Sequence, residues 1–219
     1  MTSKVFFDVA ASLDGFIAPE GMDLTHADDP EFKQWLSQWM KLQSWVFKQK
    51  FFRENLKLGE GGETGYGNRL LEETFRRTGV SIMGKRMFDA GERFWPEEAP
   101  FHTPVFVLTH QVRKPWVRPG GTTFYFVNDG IESAIARARE AAGSGDIRIA
   151  GGANVIQQYL NAGYIQEFTI HYSPVFFGEG VPLFSGMSKN IEVKVKEAIP
   201  SKEVTHVSYE VTFHRTDSP

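Results

Sequence analysis

The sequence predicts an α/β protein: a mixed, mostly parallel central sheet with helices on both faces and an antiparallel hairpin at the C-terminal end. Two patterns carry this. Up to residue 163, apolar strand-like runs alternate with stretches whose apolar residues recur at helical spacing, as in repeated β–α units. From residue 165 onward strict two-residue alternation takes over, in Ile191, Val193 and Val195 and again in Val207, Tyr209, Val211 and Phe213. The 219 residues, 41% hydrophobic and 14% aromatic, suffice for a sizeable core. With no linker, repeat or low-complexity segment, residues 1–219 read as one domain.

Residues 4–11 (KVFFDVAA) are β-prone and almost continuously apolar, as in a central strand, and SLDG then turns the chain. Asp29 as N-cap and Pro30 at the first helical position open an amphipathic helix through Phe32, Trp35, Leu36, Trp39 and Met40. Helical spacing resumes through Val46, Phe47 and Phe51, as one kinked helix or two, before the glycine-rich loop 59–67. A short helix, Arg69 to Thr78, precedes the strand VSIM and Gly84. Helical KRMFDAGERFW, the strand PVFVLT (104–109) and the strand TFYFV (123–127) follow. Asp129 with Glu132 reads as a capping box for a helix whose face is Ile131, Ala134, Ile135, Ala138 and Ala142. IRIAGG is strand-to-turn, followed by a helix through Val155, Ile156, Tyr159 and Leu160 that closes at Gly163.

Composition narrows the function. The net charge of −3 lacks the basic excess of a nucleic-acid or anionic-membrane surface, so neither partner is expected. Zero Cys excludes disulfides, thiolate zinc and cysteine nucleophiles and fits a reducing compartment. The N-terminus is too weakly apolar for a signal peptide and no run approaches a membrane span, so a cytoplasmic protein is expected. His102, His110, His171, His206 and His214 are scattered without ligand spacing, and Asp28 and Asp29 read as capping residues, so no metal is expected. A nucleophile elbow is absent as well.

What remains is phosphate cradling, because ligands of open α/β sheets bind outside the carboxyl ends of strands. Three strand ends qualify. Gly84-Lys85-Arg86 follows VSIM, Gly151-Gly152-Ala153-Asn154 follows IRIA, and Thr109-His110 follows VFVL. Each glycine set is either a turn or an approach for an anion, and the His either an exposed residue or a ribose-phosphate contact. The run from Gly79 to Arg86 approaches a nucleotide phosphate loop. It fails because Arg86 stands where magnesium needs Ser or Thr and V-S-I-M is a strand.

Six segments in order, S-L-D-G-F-I-A (12–18), M-G-K-R-M-F-D (83–89), P-V-F-V-L-T-H (104–110), D-G-I-E-S-A (129–134), I-A-G-G-A-N-V-I-Q-Q-Y-L-N-A-G (149–163) and P-V-F-F-G-E-G-V-P-L-F (174–184), resemble the dihydrofolate-reductase-like family. That family includes the C-terminal reductase domain of the bifunctional riboflavin-biosynthesis deaminase-reductase. The resemblance implies an NADPH-dependent reductase with the cofactor across the carboxyl edge of the sheet. Residue by residue, it implies that Gly84, Lys85, Arg86 and Met87 lie beside the cofactor phosphates and Thr109 and His110 near the adenosine ribose and its 2′-phosphate. It also implies that Gly151, Gly152, Ala153, Asn154 and Val155 lie under the pyrophosphate, and Ile17 and Ala18 beside the nicotinamide. Lys85, Arg86, His110 and Arg113 are candidates for the 2′-phosphate, Arg86 first because guanidinium clamps phosphate with two bonds.

Asp14, in the loop leaving the first strand, is the candidate catalytic carboxylate, either orienting or protonating a polar substrate or simply forming a turn before Gly15. Glu63 and Tyr66 are weaker substrate candidates. Without Cys no zinc-deaminase signature exists, so only the reductase step is expected. Residues 26–78 form an aromatic-rich helical insertion relative to the family. Its Phe32, Trp35, Trp39, Trp45, Phe47 and Phe51 are core packing, a roof over a flat substrate, or a face of an expected homodimer. The expected substrate is a pteridine- or pyrimidine-like small molecule, with 5-amino-6-(5-phosphoribosylamino)uracil of riboflavin biosynthesis as the named candidate. A dinucleotide-binding or sensor protein without turnover is the alternative.

Overall fold

The computed structural model describes residues 3–22, 24 and 28–214. In chain order the elements are β1 (Val5–Ala11), β2 (Phe16–Ala18), α1 (Pro30–Phe47), α2 (Lys50–Asn55), α3 (Tyr66–Arg77), β3 (Thr78–Gly84), α4 (Lys85–Phe94), β4 (Pro104–Leu108), β5 (Trp116–Val117), β6 (Thr123–Val127), α5 (Ile131–Ala141), β7 (Asp146–Gly151), α6 (Ala153–Asn161), β8 (Glu167–Tyr172), β9 (Val181–Pro182), β10 (Ile191–Pro200) and β11 (Thr205–Phe213). The predicted α/β class, with mostly parallel sheet strands and an antiparallel C-terminal hairpin, is what the chain adopts. The chain forms two compact units, one of Ser44–Gly152 and one of Lys4–Gln43 with the segment from Ala153 onward.

In the first unit the strand order is β7-β3-β4-β6-β5; all neighbours are parallel except β5, which runs antiparallel to β6. Parallel strands need crossovers: α4 links the neighbours β3 and β4, and α5 carries the chain from β6 back to β7 on the far side of β3. Met83, Val105, Val107 and Phe124 bury the Phe88 ring of α4, which meets Phe124 and Phe126 edge-on at 5.2 and 5.1 Å. Truncating this fully buried ring to Ala is expected to cost about 3–5 kcal/mol. Two glycines are required by close backbone approach: a Cβ on Gly79 would sit 2.3 Å from the Ala142 carbonyl oxygen, and one on Gly145 would sit 2.6 Å from Gly79.

In the second unit the order is β10-β11-β8-β1, with β1 and β8 parallel and β11 antiparallel to both β8 and β10. Phe7 stacks on Phe168 at 4.6 Å and Phe168 on Tyr209 at 4.8 Å, a three-ring ladder across β1, β8 and β11. The helix α6 buries Ala153, Val155, Ile156, Tyr159 and Leu160, the face its spacing predicts. In α1, Phe32, Leu42 and Trp45 are buried core, whereas Trp35 and Trp39 are half-buried and stack on each other at 6.1 Å.

Two local expectations need correction, and one open alternative is resolved. The helical spacing through Phe51 resolves into two helices, α1 and α2. The helix expected at Arg69 to Thr78 is Tyr66–Arg77, and Thr78 already belongs to β3. Asp129 does not cap α5. Gly130, at φ +99°, takes the cap position without a side-chain bond, and the Asp129 carboxylate accepts from Arg137 at 2.8 Å instead.

Candidate functional site

The register of the first unit brings the glycine-marked strand ends side by side. Met83 pairs with both Gly151 and Val107, and Gly84 pairs with Leu108, so Gly84, Thr109 and Gly151 end three adjacent strands at one edge. At about 4.8 Å per strand this edge spans roughly 10 Å. Gly84 is the N-cap of α4 and carries no side-chain cap, leaving the first-turn N–H groups available to an anion. Gly151 sits at φ +122°, and a Cβ there would touch the Met87 sulfur at 3.4 Å. A Cβ on Gly152 would meet no described atom within 4 Å, so the space over this turn exists because no side chain fills it. A pyrophosphate fits such a cradle.

The cations at this edge differ in their commitments. Lys85 donates to Asp89 one helical turn on. Arg113 donates to both carboxylate oxygens of Glu92, at 2.5 and 3.2 Å, and lies over the Phe126, Phe88 and Trp116 rings at 4.7, 5.3 and 5.6 Å. Its guanidinium is raised further above its usual range by the Glu92 hydrogen bonds. Lys85 and Arg113 are thus each paired with a carboxylate of the chain. Arg86 and His110 are exposed and make no ion pair among the described residues. Thr109 extends the β4–β6 pairing, its N–H donating to the Val127 carbonyl, and its hydroxyl accepts from the Gln111 N–H. Glu63 is also committed: its backbone brackets residues 48–50, while its side chain accepts weakly from Gln49 at 3.5 Å. Tyr66 is the first residue of α3.

In the second unit, the loop between β1 and β2 is organised by Asp14. Its carboxylate accepts from the Ser12 hydroxyl, from the Phe177 N–H at 3.0 Å and from the Gly178 N–H at 2.7 Å. The Ser12 hydroxyl bond, with the two backbone donors, holds the Asp14 carboxyl below its ordinary range. Asp14 is thus ionised at neutral pH, and its carboxylate clamps the β1–β2 loop to the Phe177–Gly178 segment. Ile17 and Ala18 lie in β2, which the clamp presents and which pairs with β9. Ala153 and Val155 turn their side chains into the core, so only their first-turn N–H groups are left for a ligand. The Asn154 side chain accepts from Gln158.

Sequence reasoning left one constellation unseen. His171 and His206, cross-strand partners on β8 and β11, are both 2% exposed with their Nδ1 atoms 2.8 Å apart, and the Asp8 carboxylate of β1 lies 4.0 Å from His171. Burial, then the neighbouring His171, pushes His206 down to about 4, so it is neutral at physiological pH. The only signal was the strand pairing, which spacing along the chain does not contain. No cluster of three or more metal-ligating residues occurs among the described residues.

These features define an α/β protein whose parallel strand ends bring glycine turns and an uncapped helix N-terminus to one edge. The chain belongs to the RibD C-terminal domain family, which matches residues 3–207. It is 26% identical over 202 residues to the uncharacterized protein YwjB of Bacillus subtilis, covering 90% of this chain and 91% of that one. Among solved structures, a Shewanella sp. PV-4 protein provisionally assigned to riboflavin biosynthesis superposes with a TM-score of 0.62 at 22% identity, over 95% of this chain and 99% of that one. Enterococcus faecalis dihydrofolate reductase, solved with NADP(H) and RAB-propyl, superposes with a TM-score of 0.54 at 12% identity, over 96% and 98%. At these identities the structures establish the shared fold.

Proposed function

We propose that this protein is an NADPH-dependent reductase of a pteridine- or pyrimidine-like small molecule, with 5-amino-6-(5-phosphoribosylamino)uracil as the first substrate to test. The observation that carries the reading is the in-register edge of Gly84, Thr109 and Gly151, with the side-chain-free space over Gly152. Family membership and the NADP(H) complex of the dihydrofolate reductase neighbour support it. When bound, the cofactor supplies the hydride. The chain's own work is orientation and charge. The α4 N-terminus and the Gly151–Gly152 turn receive phosphate, Arg86 and His110 provide the uncommitted cationic and imidazole contacts, and Asp14 holds the β1–β2 loop carrying Ile17 and Ala18. The absence of Cys suits a reducing cytoplasm, and among the described residues no helix is long and apolar enough to cross a membrane.

Thermal melting with separate nucleotides tests the reading. A ligand at a hundredfold excess over its Kd stabilises the folded state by about 2.7 kcal/mol, which in a protein of this size raises Tm by roughly 5–11 °C. NADPH is expected to do this and ATP with magnesium to do much less. Equal shifts, or none, would return the strand-end glycines to the role of plain turns. Loss of the reduced-nicotinamide absorbance with the uracil substrate separates a reductase from a binder without turnover.

A further inference from the structure

Charge is divided unevenly between the two units. Ser44–Gly152 holds 16 Lys and Arg against 13 Asp and Glu, a net +3, whereas the other unit holds 8 against 14, a net −6. The imbalance is sharpest in the segments that lead off the carboxyl ends of β1 and β8. No Lys or Arg occurs from Val5 to Phe32 or from Ala153 to Ser188. These stretches instead place Asp14, Glu20 and Glu179 around β2. The Phe177 and Gly178 N–H groups donate to Asp14, which sets its carboxylate beside the residue that precedes Glu179. Ala18 of β2 pairs antiparallel with Val181 of β9, so Glu20, two residues after Ala18, and Glu179, two before Val181, leave the ladder at the same end. Both are exposed, and neither makes an ion pair among the described residues. The unit's cations stand on other elements. Lys4 pairs with Glu167 at the amino end of β1, Lys194 and Lys196 of β10 pair with Glu192 and Glu210, Lys33 and Lys41 lie at exposed positions of α1, and Lys202 is in the β10–β11 turn.

We propose that the substrate received beside β2 carries no phosphate: it is an uncharged or cationic pteridine- or pyrimidine-like heterocycle, and its phosphorylated counterpart is discriminated against. The proposal rests on the reductase reading and narrows its substrate class. A phosphate dianion brought up to fixed carboxylates loses hydration and meets like charge, and no Lys or Arg of the β1–β2 and β8–β9 segments is there to compensate it. An uncharged ring meets no such penalty, and a cationic one is attracted. Specificity of this kind comes from a repulsive element against the wrong partner rather than from an added contact to the right one. The other unit shows the converse arrangement, with the uncapped α4 N-terminus, Arg86 and His110 where an anionic nucleotide is expected. Because Glu20 and Glu179 are exposed, the repulsion acts through solvent and is screened by salt.

Initial rates of NADPH oxidation with 5-amino-6-(5-phosphoribosylamino)uracil and with the same compound lacking its phosphate test this, and calorimetric titration of both into the NADP+-loaded protein adds a binding measurement. The unphosphorylated compound is expected to have the higher kcat/KM and the lower Kd, by about 10-fold or more. That ratio should shrink as salt rises from about 0.01 M to about 1 M, over which the Debye length falls from about 30 Å to about 3 Å. At low salt Glu20→Gln combined with Glu179→Gln should shrink it too, with the circular dichroism spectrum unchanged. A phosphorylated compound that binds and reacts equally well or better overturns the proposal, as does a ratio that neither salt nor the double variant moves. Binding of neither compound to a protein that still binds NADPH overturns it as well. A preference in binding without oxidation of NADPH upholds the charge assignment and overturns turnover alone, whereas a protein that binds no NADPH overturns the reductase reading and the proposal with it.

Discussion

Two loops that leave parallel strands use the same ingredients to opposite ends. After β1, the Ser12–Gly15 turn closes on itself: Ser12, Asp14 and the Phe177 and Gly178 amides satisfy one another, and the loop is fastened. After β3 and β7, Gly84 and Gly151–Gly152 present backbone without side-chain caps and leave space unfilled. Glycine after a strand is therefore not itself a binding signal. Whether the neighbouring donors are already satisfied decides, and the same distinction separates Arg86 from Lys85 and Arg113.

The strongest way to break the comparison is Gly152→Val. Its added methyl groups would enter the open space over the turn, and NADPH affinity is expected to fall by about 100-fold or more, while circular dichroism shows the fold intact. Unchanged affinity in a titration would mean the open turn holds nothing. Next comes the cation set. Arg86→Ala is expected to remove a preference for NADPH over NADH of about 10–150-fold, worth roughly 1.5–3 kcal/mol, whereas Lys85→Ala leaves most of it. Parallel titrations with the two cofactors decide, and equal losses from both variants would erase the distinction drawn between them.

The fastened loop predicts a different signature. Asp14→Ala removes the clamp and is expected to lower kcat while leaving the Kd for NADPH nearly unchanged. Asp14→Asn, which keeps an accepting oxygen for the Phe177 and Gly178 amides, should recover much of the loss. An Asn variant as inactive as the Ala variant would point to Asp14 as a reacting group. The smallest expected effect is on pH. His206 is depressed in the folded protein relative to its ordinary 6.5, so its contribution to stability is complete above about 6.5 and is lost as pH falls toward about 4. In that window the unfolded chain binds the proton and the folded chain does not. Melting curves across this range should steepen in their pH dependence by up to about 3 kcal/mol in total, and His206→Gln should flatten them.

Much of this protein is legible in the chain itself. Helical spacing marked α4, α5 and α6, two-residue alternation marked β10 and β11, and the six ordered motifs pointed to the family, because local periodicity reports which face of an element is buried. Candidate cofactor positions followed as well, since a glycine at a strand end is visible in one dimension. Tertiary structure alone decided which of these groups remain free. Asp89 and Glu92 capture Lys85 and Arg113, the Phe177 and Gly178 amides reach back to Asp14 across more than 160 residues, and β8–β11 pairing brings His171 onto His206. Hydrogen bonds and charge pairs act through space, between atoms that periodicity does not bring into register, so the commitments of a side chain are set only when the strands and loops carrying its partners have been placed.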